Sequence, residues 1–321
     1  MKRGAMVGCY VNSTLDEALT SLAEAGAEVV ELSTWGRRVA MEYDLDALLG
    51  SAAKRQALTN RLSSYGLAAS SISCHGNALH PNDKVRTEQQ ALFTDTVRLA
   101  GLLQLDTVVD FSGCPGDNPH AEYPNWVTCA WPDDFAEVHR WQWSERIIPY
   151  WVETAAYLNR EGVRVAIEMH PGMSVYNPRD LLRLREAAGP AVGANLDPSH
   201  LFWQQIDVIG AIRVLGEAIY HVHMKDSQVR EHRSAYVGVL DTTPFREWED
   251  RSWLYRTLGH GHPREFWAQF ITTLKEVGYT GPLSVEHEDV LIHVDEGMRQ
   301  ALALIRDVAP TTTEINRWWE S

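Results

Sequence analysis

The strongest constraint on the fold of this chain is an alternation: short apolar runs and longer amphipathic stretches follow one another eight times. The runs cover residues 6–9, 29–32, 68–73, 107–111, 164–168, 192–196, 219–224 and 282–286. Each has the length of a buried parallel strand, and several are rich in β-branched residues. The stretches between them, 14–25, 45–65, 83–103, 143–160, 178–188, 201–215, 263–277 and 295–308, carry helical periodicity. Gly26, Gly66, Gly162, Gly189 and Gly278 each stand after a helical pattern and before a strand, where a left-handed terminating residue is wanted. Eight βα units in 321 residues point to a closed (β/α)8 TIM barrel, expected as one domain over residues 1–321. An open doubly wound sheet is the rival, but no Gly-rich dinucleotide fingerprint follows any of the strands.

Two connections, 112–142 and 226–262, are far longer than ordinary βα loops. In a barrel such insertions sit over the C-terminal face, where active sites lie. They carry Trp126, Trp131, Trp141, Trp248 and Trp253, with Trp143 just past the end of the first. Most of these rings are expected to pack the insertions onto the barrel, and one or two to stack on a sugar ring or an aglycone.

Four polar residues close consecutive predicted strands: Glu168 in VAIEMHP, Asp197 in GANLDPSH, His223 in YHVHMKD and Glu286 in LSVEHED. All four should point from the top of the barrel into one small volume. Three carboxylates there repel one another unless a cation neutralises them. With one imidazole they make an O3N donor set suited to Mn2+, Mg2+ or Co2+ and, less neatly, Zn2+. The formal charge of −14, with no run of Lys or Arg, argues against a nucleic-acid partner. The N-terminus lacks the apolar region of a signal peptide, and no stretch approaches the roughly 18 apolar residues of a membrane span. Four scattered cysteines without a CxxC pair read as reduced thiols, and the cytoplasm is the expected location.

The motifs E-M-H at 168–170, D-P-S-H at 197–200, H-x-H-x-K-D at 221–226, G-H-G at 259–261 and V-E-H-E at 285–288 occur in this order and at this spacing. Together they resemble the xylose isomerase-like TIM-barrel superfamily, the sugar phosphate isomerase/epimerase group, from Val7 to about Ile305. Its members include ketose 3-epimerases, hydroxypyruvate isomerases, inosose dehydratases, 3-dehydroshikimate dehydratases and endonuclease IV. The resemblance implies that Glu168, Asp197, His223 and Glu286 hold one divalent metal, Mn2+ ahead of the others. It also implies that Glu168 and Glu286 form the acid/base pair, and that His200 is a catalytic residue near the metal. Lys225 and Asp226 match the H-x-K-D signature. Arg230 in the following loop is a candidate contact for a hydroxyl or carboxylate. His75 and His170, at strand ends, are further candidate substrate contacts. His221 is expected to face away from the barrel interior and His287 to point outward, and His260 or His262 either to enter the pocket or to cap a turn. Endonuclease IV chemistry needs further histidines, but strand four ends in Asp110-Phe111-Ser112 and no Asp-x-His follows His223.

The expected chemistry is proton abstraction α to a carbonyl of a keto-sugar or cyclitol through a metal-bound enediolate, as in an isomerase or epimerase. A lyase or dehydratase drawing on the same enolate is the alternative: 3-keto-glycoside cleavage, including C-glycoside cleavage, or inosose dehydration. A non-catalytic sugar-binding barrel is the alternative of another class. No phosphate-binding loop follows strands seven and eight, so the carbohydrate is expected to be non-phosphorylated. No membrane partner is expected. The chain is expected to act as a homodimer, or as a heteromer with a small subunit should it cleave C-glycosides.

Overall fold

The computed structural model describes residues 1–34, 44–310, 312 and 319. Seven successive parallel strands run β1 (Arg3–Met6), β2 (Val29–Ser33), β3 (Ala68–Ser73), β4 (Thr107–Phe111), β5 (Arg164–Glu168), β6 (Val192–Leu196) and β7 (Ile219–Met224). Two short strands, β8 (Asp226–Val229) and β9 (Trp253–Arg256), then pair antiparallel with each other outside the barrel. The eighth barrel strand, β10 (Leu283–Val285), pairs with both β7 and β1 and so closes the ring. Closure leaves no free edge, and the result is the (β/α)8 barrel that the alternation predicts.

The helices, in order, are α1 (Leu15–Ala25), α2 (Leu45–Gly50), α3 (Ala52–Ser64), α4 (Asp83–Leu102), α5 (Asp133–Trp141) and α6 (Ile148–Glu161). They continue with α7 (Pro178–Ala188), α8 (Ser199–Phe202), α9 (Val208–Leu215), α10 (Glu231–Val237), α11 (Arg264–Glu276) and α12 (Val294–Val308). Local chemistry sets their ends. Thr14 and Glu17 close a reciprocal capping box on α1, an arrangement worth about 1 kcal/mol. Gly26 and Gly162 end α1 and α6 in the left-handed conformation foreseen for them. The stretch 45–65 breaks in two because Ser51 adopts an extended backbone and caps α3 with its hydroxyl. The core lies between strands and helices, with Leu19, Leu22, Val30, Trp151, Trp267 and Phe270 among its fully buried members.

The sequence reading needs correction at the first strand. The barrel strand is Arg3–Met6, and Val7–Cys9 form a 3-10 turn above it. A strand that starts at the solvent-facing bottom of the barrel can begin with Arg3, which an apolar-run criterion passes over. The first insertion is not a plain loop either, because α5 continues into α6 through a wider π-helical segment, Gln142–Ile147. The second insertion holds the β8–β9 hairpin and shares an aromatic cluster with the residue after α8, Trp203, which stacks on Trp253 at 5.0 Å with Tyr255 beside them. Among the described residues no helix is long and apolar enough to cross a membrane.

Candidate active site

Glu168 is the last residue of β5, Asp197 follows β6, His223 lies near the end of β7 and Glu286 follows β10. One ligating atom from each falls within 4.8 Å of the other three. His223 Nδ1 stands 3.1 Å from Glu168 Oε2 and 3.1 Å from Glu286 Oε2. Glu168 and the Asp197 and His223 side chains are buried, and Glu286 keeps a small exposed face. Asp197 is aimed by the Ser199 N–H, which donates to its Oδ1 at 2.8 Å.

Burial alone would raise these carboxyls, but their neighbours overcome it. Hydrogen bonds from His200, His223 and His75 hold Glu168 well below the usual carboxylate range. Lys225 and His200 depress Asp197, and Lys225 and His223 depress Glu286. The same charges act in reverse on the bases. Burial disfavours a charged His223, yet Glu31 and Glu286 raise it well above the ordinary range. His200 is opposed by burial and carried up to about 9, chiefly by Asp197. The site therefore draws in positive charge wherever a side chain can supply it.

That excess of acceptors is the test for a cation. Asp197 Oδ2 is fully buried and makes no hydrogen bond of good geometry, although Lys225 Nζ lies 3.0 Å and His200 Nε2 3.1 Å away. His223 faces carboxylates from both of its ring nitrogens. A buried carboxylate oxygen without a well-formed hydrogen bond, within a converging O3N set, fits a divalent ion. Three other groupings, Glu31/His221/His223, His75/Glu168/His223 and Glu168/His170/His200, also bring ligating atoms together among the described residues.

A cavity of about 430 Å³ opens beside these groups. His75, Glu168, His170, Lys225, Glu286 and Glu288 give it a polar side, and Met6, Cys9, Val11 and Phe111 an apolar one. His75 reaches Glu168 Oε2 at 3.1 Å from a left-handed backbone (φ 49°). His170 donates from Nδ1 to the Pro171 carbonyl at 2.6 Å, so its Nε2 carries the lone pair. Burial, with the charge of His200, takes its pKa down to about 3. Phe111 packs between the rings of His75 and His170. His200 is fully buried, with Nε2 at 2.9 Å from Glu168 Oε1 and Nδ1 at 3.4 Å from the Tyr255 hydroxyl. Lys225 binds three carboxylates at once: Asp197 at 3.0 Å, Glu286 at 2.9 Å and Glu288 at 3.1 Å.

Several sequence-level expectations end elsewhere. Arg230 does not border the cavity. Its guanidinium donates to the carbonyls of Trp248, Glu249 and Arg251 and holds the second insertion together. Asp226 also acts on that insertion, accepting the N–H groups of Gly259, Gly261 and His262 and the ring of His262. His262 stacks on Phe202 at 3.6 Å, and His260 bonds Gln300. His221 points into the barrel, because residues two apart on a strand share a face and His223 faces inward. His287 borders the cavity while its ring turns to Thr257. None of the insertion tryptophans belongs to the cavity's described lining, and Trp143 and Trp253 are buried instead.

The structure also adds residues. Glu31, the one charged residue inside its apolar run, is completely buried and bonds His221, His223 and Ser284. Asn195 donates to Glu168 Oε2 at 2.9 Å. It precedes Asp197 by two residues, so strand alternation could have placed it on the same face. Phe111 could have been found by the same rule, but Tyr255 could not, because only the folded insertion brings it to His200.

Comparison with known proteins bears on this geometry. The family described as xylose isomerase-like TIM barrel matches residues 19–308. The uncharacterized protein YfiH of Bacillus subtilis (strain 168) is 36% identical over 306 residues, which cover 92% of this chain and 97% of that protein. Among solved structures, the probable 3-DHS dehydratase AsbF of Bacillus anthracis superposes with a TM-score of 0.65 at 15% identity, over 95% of this chain and 99% of that one. An IolI protein with a bound zinc atom gives 0.65 at 18%, over 96% and 98%. The D-psicose 3-epimerase of Clostridium cellulolyticum H10 with D-tagatose gives 0.59 at 15%, over 96% and 99%. At these identities the structural likeness speaks for the fold.

Proposed function

We propose that this chain, which belongs to the xylose isomerase-like TIM-barrel family, is a divalent-metal-dependent isomerase or epimerase of a keto-sugar or cyclitol. The observation that carries this reading is the meeting of Glu168 and Glu286 at one ring nitrogen of His223, both bordering one cavity and both held as carboxylates. A divalent cation, Mn2+ by preference, held by Glu168, Asp197, His223 and Glu286 supplies Lewis-acid polarisation of a substrate carbonyl.

The rest follows from the side chains. One glutamate takes the proton from the carbon next to the carbonyl, and the C–H electron pair moves toward the carbonyl oxygen to give an enediolate. The other glutamate returns a proton once it has taken one from solvent, and the first releases the proton it abstracted to solvent in exchange. Return to the same carbon from the opposite face inverts it, and delivery to the neighbouring carbon moves the carbonyl. His75 and His170 border the space where hydroxyl groups would lie, and His170 offers a lone pair there. Lys225, the one Lys or Arg of the described lining, is committed to three carboxylates, which favours a substrate without phosphate.

Deuterium wash-in tests the reading. The Mn2+-loaded protein is incubated in D2O with ketoses, inososes and 3-keto-glycosides, and products are read by NMR and mass spectrometry. Deuterium at the carbon α to the carbonyl, with skeleton and oxygens retained, is the expected result. Loss of water or an aglycone would replace the isomerase by a lyase. No exchange with any substrate while metal is bound would overturn catalysis in favour of sugar binding.

A further inference from the structure

We propose that Glu31 is a positioning residue for the metal site, gripping His223 from inside the barrel so that its Nδ1 lone pair is presented to the cation; this rests on the metal reading above. Glu31 sits within β2, at the height where Met6 of β1 pairs with it. It is 0% exposed, and an isolated carboxylate so deep would be costly. Donors from two other strands offset that cost. His221 Nε2 lies 2.8 Å and His223 Nε2 3.1 Å from Glu31 Oε2, and the Ser284 hydroxyl donates to the same oxygen at 2.8 Å. The second oxygen, Oε1, is 3.2 Å from His223 Nε2.

An ionised carboxylate only accepts hydrogen bonds, so Glu31 requires a proton on Nε2 of His223. Nδ1 lies 3.1 Å from both Glu168 Oε2 and Glu286 Oε2, where a cation would take the place of a second proton, and the Asn195 amide, 3.0 Å away, can only donate to a lone pair on that nitrogen. A carboxylate bound to the far nitrogen fixes both the tautomer and the ring orientation of a ligating histidine and makes it more basic. His221 and Ser284 hold Glu31 in turn, which gives His221 a role although it points at no substrate.

The test compares wild type, Glu31→Gln, Ser284→Ala and Glu168→Gln by calorimetric titration with Mn2+. The tautomer of His223 in Zn2+-loaded, 15N-labelled wild type is read by long-range 15N NMR. We expect one equivalent of metal on wild type, with Glu31→Gln binding it about 10–100-fold more weakly. The metal-free melting temperature should be retained, and the weakening should be smaller for Ser284→Ala. NMR should show Nε2–H and a metal-bound Nδ1. Should Glu31→Gln fail to fold, Ser284→Ala and the wild-type tautomer still decide. A metal-bound Nε2, or unchanged affinity in Glu31→Gln while Glu168→Gln loses the metal, would overturn the role of Glu31 alone. Unchanged affinity in Glu168→Gln, or no metal on wild type, would overturn the metal reading and this proposal with it.

Discussion

At Asp110 a single buried carboxyl shapes the rim of the cavity. Its Oδ1 accepts the N–H groups of Gly76 at 2.7 Å and Phe111 at 2.8 Å, which fixes the turn that carries His75. Its Oδ2 is buried without a partner, and burial pushes the pKa up to about 7. An aspartate in the unfolded chain titrates near ~4. Between these values the folded state holds a proton that the unfolded state has lost, so this group's stabilisation is present below about pH 4 and fades as pH rises through about 7. Asp110→Asn removes the titration. The melting temperature of the variant relative to wild type should therefore climb between pH 4 and pH 8 in scanning calorimetry, and a constant offset would count against a raised pKa. Glu286 keeps an exposed face toward the cavity and meets Lys225 and His223 through Oε2. Glu286→Gln should slow α-proton exchange by about 10²–10⁴-fold, read as deuterium incorporation, with its melting temperature close to wild type.

Among the elements, the second insertion matters most to the site because it delivers Tyr255 to His200 and Lys225. Its closing turn is clasped by Asp226, and a side chain on Gly261 would bring a Cβ to 2.2 Å from the Ser227 carbonyl. Gly261→Ala and Asp226→Ala should open the hairpin without opening the barrel. Limited proteolysis should then cut within residues 226–262 faster than in wild type, and turnover should fall as Tyr255 leaves His200. A cleavage pattern like that of wild type would show that the clasp is dispensable. The strands and helices of the barrel were legible from sequence because burial on both faces, or on one stripe, leaves a periodic trace. The place of Arg230 is not legible in sequence, because a loop arginine near a site looks the same whether it meets a ligand or three carbonyls of its own insertion.

For the whole molecule, the four side chains of the O3N set come from β5, β7 and the residues just beyond β6 and β10, so a cation held by them would tie together four neighbouring staves of the barrel. Ligand that binds only the folded state adds stability by mass action, about 2.7 kcal/mol at one hundred times its dissociation constant. Mn2+ at that excess should raise the melting temperature by several degrees, and a chelator should reverse the shift. A melting temperature indifferent to both would mean that no cation binds the folded barrel.

The sequence by itself determined the barrel and the four converging side chains, because strand order and alternation leave the ends of parallel strands only one place to point. Tertiary structure alone decided which groups complete the site. Glu31 meets His223 across 192 residues of chain and Tyr255 meets His200 across 55. Neither pairing has a local signature, since it arises from barrel closure and from how an insertion folds back, and both of these are set by packing between elements distant in sequence.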